Sequence, residues 1–267
     1  MPELPEVETI ARGLDAKLRT KQVSGVCVKW ERSVEPRSLP LERLVGAQVN
    51  GVTRAGKFVV LELDGTLRMA VHLRMTGRLL VVPRGQHVPY ERLALHFSDG
   101  SALVFADMRK FGRVRIFSGD PAATLKIGLD PLGAGFSERV LRELLARRKT
   151  PIKVWLLDQR RLAGIGNIYA SEALYYAGIR PKRRAKSLSV AERRRLLRAL
   201  RKVLRRAIRH RGSSVDDYVD AEGMKGGFQK LLAVYGRTDE PCRRCRTPIR
   251  RSTLSQRGTF YCPACQR

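Results

Sequence analysis

The segment LALHFSDGSALVF, residues 93–105, places apolar side chains at alternate positions on both sides of Asp99 and Gly100. An Asp-Gly pair between two alternating segments is a hairpin signal. The segment FVVLEL, residues 58–63, ends in the same way at Asp64 and Gly65. Residues 23–117 therefore predict antiparallel β structure, either a sandwich or a barrel.

Helical patterns lie on both sides of this β region. Val7, Ile10, Leu14 and Leu18 recur at helical spacing behind Pro5, which suits a first helical turn, so a helix begins close to the chain start. Proline and glycine are frequent in residues 121–135 and indicate a linker. Beyond it, residues 196–208 carry an apolar stripe within a strongly basic helix.

The net charge indicates a polyanionic partner. The 53 Lys and Arg against 25 Asp and Glu leave +28, whereas solubility of a small domain needs a charge of only about 2 to 8. Residues 182–211 hold 14 basic residues and one acid, which indicates a phosphate-binding face or a merely solvated one. A charge adaptation of the whole proteome and an acidic membrane surface are the alternative explanations.

Neither a membrane span nor a signal peptide is predicted. No apolar run approaches the roughly 18 residues of a span, and acids occupy the N-terminus where a signal peptide has lysines. We expect a cytoplasmic protein without a membrane partner.

Four cysteines near the C-terminus have metal-ligand spacing. Cys242 and Cys245 form one C-x-x-C pair, and Cys262 and Cys265 form a second pair 16 residues later. Two such pairs close a tetrahedral thiolate site across a β-hairpin, which predicts a zinc ribbon with one structural Zn²⁺. Two disulfides are the alternative, but they require an oxidising compartment.

The N-terminus carries candidate chemistry. A Met followed by the small residue Pro2 is expected to be removed, which leaves a secondary amine with a pKa near about 7.7 to 8.0. Such an amine attacks an aldehyde-level carbon to give a Schiff base, and Glu3 and Glu6 are placed to transfer protons or to hold the ammonium form. The alternative is that these acids only favour the positive end of a helix.

Five motifs occur in order: MPELPEVET at residues 1–9, HLRMTG at 72–77, DMRKFG at 107–112, GIGNIYASEAL at 164–174, and the four cysteines. Together they resemble the bacterial formamidopyrimidine-DNA glycosylases, which excise 8-oxoguanine and ring-opened purines from DNA. The resemblance implies an α+β fold: an N-terminal antiparallel β-sandwich with a leading helix, then a C-terminal helical helix-two-turn-helix domain and a zinc ribbon. It also implies double-stranded DNA with an oxidised base in the cleft between the halves.

The resemblance implies a role for each catalytic candidate. Pro2 attacks the anomeric carbon and displaces the base, after which both phosphates are eliminated by the AP lyase activity. Glu3 donates a proton to the sugar or the base, and Lys57 contacts the damaged nucleotide and serves the elimination. The resemblance also implies that Arg257 is a catalytic residue. Glu6 and Glu172 give catalytic support, Glu172 by reaching the terminal proline.

The resemblance also implies the DNA contacts. Met75 and Phe111 fill the gap that a flipped base leaves, as apolar wedges do, and Arg109 donates to the orphaned cytosine. Spacing alone predicts a hairpin tip at residues 75–77. Tyr90 stands where the family has a phosphate-binding His, so that contact is lost or passes to another group. The remaining predicted contacts to the DNA are Lys149, Lys153 and Asn167, with Arg257 on phosphates flanking the lesion.

The predicted domains are a catalytic β-sandwich at 1–120, a linker at 121–135, the DNA-binding helical domain at 136–235 and the ribbon at 236–267. Residues 220–228 match a loop that closes over the flipped base, and we expect a monomer. The alternatives are an endonuclease VIII-type glycosylase for oxidised pyrimidines and a non-catalytic DNA-binding relative.

Overall fold

The computed structural model of the chain describes residues 1–214 and 223–267. Its contacts divide the chain into a first unit, Met1–Lys126 with His210–Gly227, and a second unit, Ile127–Arg209 with Phe228–Arg267. The domain boundaries proposed above remain predictions.

The first unit is a β-sandwich with a leading helix. Helix α1 spans Leu4–Leu18. The strands form two four-stranded antiparallel sheets, in the orders β1-β6-β7-β5 and β2-β3-β4-β8. Their bounds are β1 Val23–Val28, β2 Gly51–Ala55, β3 Phe58–Glu62, β4 Leu67–His72, β5 Gly77–Pro83, β6 Glu91–Phe97, β7 Ser101–Asp107 and β8 Arg113–Ser118. The short helix α2, Pro121–Leu125, follows the last of these strands.

One apolar core holds α1 and both sheets together. The predicted helical stripe is buried in it, with Val7 and Leu14 fully buried and Ile10 2% exposed. Side chains from both sheets, such as Val59 and Leu95, complete the same cluster. Both Asp-Gly pairs lie between paired neighbouring strands, as predicted. Since the two sheets are separate, the fold is a sandwich and not a barrel, and the α+β class is confirmed.

Three connections cross from one sheet to the other, and the first of them, residues 29–50, joins β1 to β2. Residues 73–76 join β4 to β5, and residues 108–112 join β7 to β8. The hairpin tip predicted at residues 75–77 is therefore wrong, because β4 pairs with β3 and β8 whereas β5 pairs with β7. The chain leaves one sheet at that point and enters the other.

The second unit contains four helices and a hairpin. The helices are α3 Glu138–Leu145, α4 Ile152–Leu156, α5 Asn167–Ala177 and α6 Val190–Arg209, and the hairpin strands are β9 Arg250–Leu254 and β10 Arg257–Tyr261. Helix α6 packs along α5, and α5 packs on β10. The basic amphipathic helix predicted from residues 196–208 is thus confirmed. None of the described helices combines the length and apolar character that a membrane crossing requires.

Candidate functional site

The N-terminus is packed into the first unit. Met1 is 37% exposed, whereas Pro2 and Glu3 behind it are buried. Glu3 is the N-cap of α1, so the Pro2 nitrogen lies next to the positive end of that helix. The structure therefore places the two N-terminal catalytic candidates, Pro2 and Glu3, together in a buried position at this end of the helix.

The Glu6 carboxylate connects α1 to a distant segment of the first unit. Its Oε2 accepts the backbone N–H of Glu3 at 2.9 Å, and its Oε1 accepts the backbone N–H of Ser213 at 2.7 Å. Gly212 has φ +77°, and a Cβ there would lie 2.6 Å from Glu6 Oε1, so this approach requires glycine. These contacts give Glu6 a structural role in joining Ser213 to the start of α1, and its predicted role toward the N-terminal amine remains a prediction.

The predicted loop at residues 220–228 is described only in part, because residues 220–222 lie outside the described ranges. Its far end packs on the segment that Glu6 contacts. The N–H of Gly226 donates to Ser214 Oγ at 2.9 Å, and the N–H of Gly227 donates to the carbonyl of His210 at 2.9 Å. A Cβ on Gly226 would lie 2.3 Å from the carbonyl oxygen of Gly212.

Lys57 lies beside a histidine that sequence reasoning missed. Lys57 precedes β3 and is 6% exposed, and His72 at the end of β4 is 8% exposed. Residue 72 pairs with Phe58 across the two strands. Burial lowers the pKa of His72 to about 3, and the positive charges of Arg74 and Lys57 add to this effect. His72 is therefore neutral at physiological pH.

The direction of this shift predicts a pH-dependent stability. His72 binds a proton in the unfolded chain below pH about 6.5 but not in the folded chain until about pH 3, so stability falls as the pH falls through this window. Between pH 7 and pH 5 the free energy of unfolding should fall by about 2 kcal/mol more in the wild type than in His72→Gln. Chemical denaturation at both pH values measures the difference, and parallel pH profiles would contradict the assignment.

The three predicted intercalating side chains form one exposed cluster. Met75 is 44% exposed and Phe111 is 48% exposed. The Arg109 guanidinium stacks over the Phe111 ring, 4.8 Å from its centroid, and Nη1 of Arg109 lies 3.2 Å from Sδ of Met75. The three side chains belong to the connections at residues 73–76 and 108–112, which the fold brings side by side.

A buried carboxylate that the sequence analysis did not select holds these two connections together. Asp107 is 1% exposed. Its Oδ1 accepts the hydroxyl of Thr76 and the N–H of Arg109 at 3.2 Å, and its Oδ2 accepts the N–H of Gly112 at 2.7 Å. The Arg92 side chain donates to the backbone carbonyl of Asp107 at 2.9 Å. Asp107 is therefore a positioning residue for the cluster.

In the second unit, two predicted contact residues meet at the ribbon hairpin. Lys153 is fully buried, and its Nζ donates to the carbonyl of Gly258 and to Oγ1 of Thr259, each at 2.9 Å. Nδ2 of Asn167, the first residue of α5, donates to the same carbonyl at 3.0 Å. These bonds fix the hairpin beside Arg257, whose side chain is exposed.

Glu172 is fully buried within the second unit. Its oxygens accept the backbone N–H groups of Ala233, Val234 and Tyr235 at 2.8 to 2.9 Å. Burial raises the pKa of Glu172, and the three backbone hydrogen bonds act in the opposite direction. The structure thus gives this carboxylate a role in holding residues 233–235, and its predicted reach to Pro2 remains a prediction.

The other two predicted DNA contacts are on the surface. Lys149 is exposed between α3 and α4. Tyr90, just before β6, is 56% exposed and has φ +62°. Both side chains are accessible to a ligand.

The four predicted zinc ligands come together. Their sulfur atoms all lie within 4.8 Å of one another, with Cys245 Sγ 3.5 Å from that of Cys262 and 3.4 Å from that of Cys265. A tetrahedral Zn²⁺ with Zn–S bonds of about 2.3 Å requires sulfurs about 3.8 Å apart. The backbone N–H of Arg244 donates to Cys242 Sγ at 3.4 Å. Four thiolates leave no open position, so this is a site for one structural zinc ion.

Family models match three stretches of the chain. Residues 1–114 match the formamidopyrimidine-DNA glycosylase N-terminal domain, and residues 127–219 match the helix-two-turn-helix domain of the same enzymes. Residues 239–267 match the zinc finger found in this family and in isoleucyl-tRNA synthetase.

Named relatives and solved structures indicate the same family as the family models. A formamidopyrimidine-DNA glycosylase of Chloroflexus aggregans is 44% identical over 100% of this chain and 98% of its own, and one of Herpetosiphon aurantiacus is 43% identical over 100% of both. The Lactococcus lactis enzyme mutant G226P, solved with DNA containing Fapy-dG, superposes with a TM-score of 0.90 at 33% identity and full coverage of both chains. The Thermus thermophilus enzyme superposes with a TM-score of 0.88 at 38% identity, and the match covers 99% of this chain and 98% of that enzyme's chain. The chain belongs to the formamidopyrimidine-DNA glycosylase family.

Proposed function

We propose that this protein excises oxidised purines from double-stranded DNA and then cleaves the strand at the resulting abasic site. The observation that carries the proposal is the buried Pro2-Glu3 pair at the positive end of α1, in a chain that matches the family along its whole length. The solved relatives include Lactococcus lactis complexes with DNA that contains Fapy-dG or an abasic site.

The chemistry begins at the Pro2 nitrogen after removal of Met1. The nitrogen lone pair forms a bond to the anomeric carbon, and the bond to the damaged base breaks as Glu3 supplies a proton. The Pro2 nitrogen then gives up its proton, and the bond from the anomeric carbon to the ring oxygen breaks as that oxygen takes up a proton. The sugar opens to an iminium, whose positive charge acidifies the adjacent sugar carbon and permits successive elimination of the two phosphates. Lys57 is the residue that we assign to the elimination step.

The cluster of Met75, Arg109 and Phe111 serves base extrusion. Flipping a base costs a few kcal/mol of stacking and pairing, and apolar side chains that enter the stack recover part of this cost. The guanidinium of Arg109 offers donors to the acceptors of the unpaired cytosine. Stacking on Phe111 orients that guanidinium before DNA binds.

Asp107→Asn tests whether this cluster must be held in place. The substitution removes the charge from the acceptor of three hydrogen bonds and should cost about 1.5 to 3 kcal/mol. Base excision from a paired duplex should then be about 10- to 100-fold slower. Cleavage at a preformed abasic site should change less than about twofold, because no base needs to be extruded there. Single-turnover assays on both substrates measure the contrast.

Asp64→Asn is the matched control. Asp64 Oδ2 also accepts a backbone N–H, that of Gln48 at 2.8 Å, but it lies in the β3–β4 turn, away from the cluster. The Asp64→Asn variant should keep the wild-type rates of base excision and of cleavage at the abasic site. Equal losses on both substrates with Asp107→Asn would show a general structural effect and contradict the positioning role.

Borohydride trapping tests the proposed function itself. The processed protein is mixed with a duplex that carries 8-oxoguanine opposite cytosine, and separately with a thymine-glycol duplex. A covalent adduct that maps to Pro2 and favours the first duplex is expected. Preference for the thymine-glycol duplex would show that the protein is a glycosylase of the endonuclease VIII type. Absence of an adduct with both duplexes would show that it is a DNA-binding protein without this catalytic activity.

We also propose that a single chain performs this reaction on chromosomal DNA in the bacterial cytoplasm. All the residues assigned above belong to one chain, and the relatives named above are bacterial. Light scattering of the protein on a short lesion duplex should give the mass of one chain per duplex.

A further inference from the structure

The outer face of α6 carries a row of exposed basic side chains that the proposed reaction does not use. The row, called the basic stripe here, consists of Arg194, Arg198, Lys202, Arg205 and Arg209, all exposed. Steps of three and four residues keep these side chains on one face of a helix. At a rise of 1.5 Å per residue the stripe is about 22 Å long.

The basic stripe lies on the face of α6 opposite to the face that packs on α5. On the opposite face of α6, Leu196, Leu200 and Leu204 are fully buried, and this is the face that packs toward α5. Asn167 begins α5 and bonds to the ribbon hairpin. The hairpin that carries Arg257 also packs on α5, whereas the basic stripe lies on the face of α6 that is turned away from α5.

The charge of the basic stripe is not balanced within the described residues. The acids on and beside α6 are already paired, Glu192 with Arg183 and Glu138 with Arg193. Residues 193–211 contain no Asp or Glu. Neighbouring like charges at this spacing destabilise a helix, and the helix dipole offsets this only in the last turn. An external polyanion would relieve the repulsion.

We propose that the basic stripe binds a second segment of duplex DNA while the lesion-containing duplex occupies the catalytic site. Duplex DNA presents one negative charge per about 1.7 Å of its axis, which suits a straight cationic row. Residues 190–209 contain no aromatic side chain, so the stripe lacks the stacking platform that single strands need. Two DNA sites on one chain allow direct transfer between duplex segments during the search for damage. Only the identity of the first duplex rests on the proposed function.

The test is formation of a ternary complex. The protein is saturated with a 15-base-pair duplex that carries a tetrahydrofuran abasic analogue and a donor dye. An undamaged duplex with an acceptor dye is then titrated, and energy transfer reports both duplexes on one protein. Replacing Arg194, Arg198, Lys202 and Arg205 by Gln should weaken the second binding at least about 10-fold and lower its salt slope by about 3 to 4.

A matched variant controls for total charge. It carries Arg37→Gln, Arg43→Gln, Arg84→Gln and Lys126→Gln, four exposed positions in the first unit, and it should retain the ternary complex. Equal loss in both variants, or energy transfer unchanged in the stripe variant, would overturn the proposal. Stronger competition by duplex RNA than by duplex DNA would also overturn the choice of partner.

A separate measurement distinguishes failure of the proposed function from failure of the second DNA site. The stripe variant should excise 8-oxoguanine from the 15-base-pair duplex at the wild-type single-turnover rate. If the wild type shows no excision at all, the proposed function fails, whereas the ternary complex still tests the second DNA site.

Discussion

Pro2→Gly is expected to abolish base excision while DNA binding stays within about twofold of the wild type. The substitution keeps a small second residue, so Met1 is still removed, but it replaces the secondary amine with a primary one. A secondary amine yields an iminium that stays charged without a proton, whereas an imine from glycine must be protonated to act as an electron sink. We expect a loss of at least about 1,000-fold, the scale on which removal of a nucleophile acts.

The measurement is single-turnover excision of 8-oxoguanine, with mass spectrometry to show that each chain starts at residue 2. Pro5→Gly is the matched control, because it makes the same change three residues later, in the first turn of α1. It should lower stability slightly and leave excision near the wild-type rate. Excision by Pro2→Gly at the wild-type rate would show that the reaction does not depend on the secondary amine of proline.

Cys262→Ser is expected to remove the zinc ion and to unfold the ribbon. Cys262 is fully buried, and its Sγ also accepts the backbone N–H of Cys265 at 3.4 Å. Structural zinc contributes on the order of 10 kcal/mol of folding free energy in small modules. Loss of the ribbon also releases the hairpin that carries Arg257, so DNA affinity should fall at least about 10-fold.

Metal analysis and a salt titration of DNA binding measure these effects. Cys27→Ser is the control, because Cys27 lies in β1 and is not one of the four clustered cysteines. It should retain one zinc ion and wild-type affinity. One zinc ion and full DNA affinity in Cys262→Ser would show that the ribbon does not depend on this ligand.

The elements that sequence reasoning predicted correctly are those whose signals are local. The repeat of Val7, Ile10 and Leu14 predicts α1 because an α-helix presents every third or fourth side chain to one face. The Asp-Gly pairs predict hairpins because the two-residue turn requires positive φ. The cysteine spacing predicts the zinc site because each C-x-x-C pair forms a knuckle by itself.

The hairpin predicted at residues 75–77 failed for a reason that no local signal reveals. A short polar connection between two strands looks the same whether the strands pair with each other or belong to different sheets. Here the pairing partner of β5 is β7, which begins at Ser101. Strand pairing is decided by the whole apolar pattern of the sandwich, and so by contacts far apart in sequence.

The sequence by itself determined the helix at the start, the antiparallel strands, the ribbon, the basic excess and, through its motifs, the family. Tertiary structure alone decided that Asp107 holds the intercalating cluster together, that His72 is a neutral neighbour of Lys57, and that Lys153 supports the ribbon hairpin. The physical reason is that a carboxylate, imidazole or ammonium takes its role from its burial and its partners, and these partners lie up to 106 residues away in the chain.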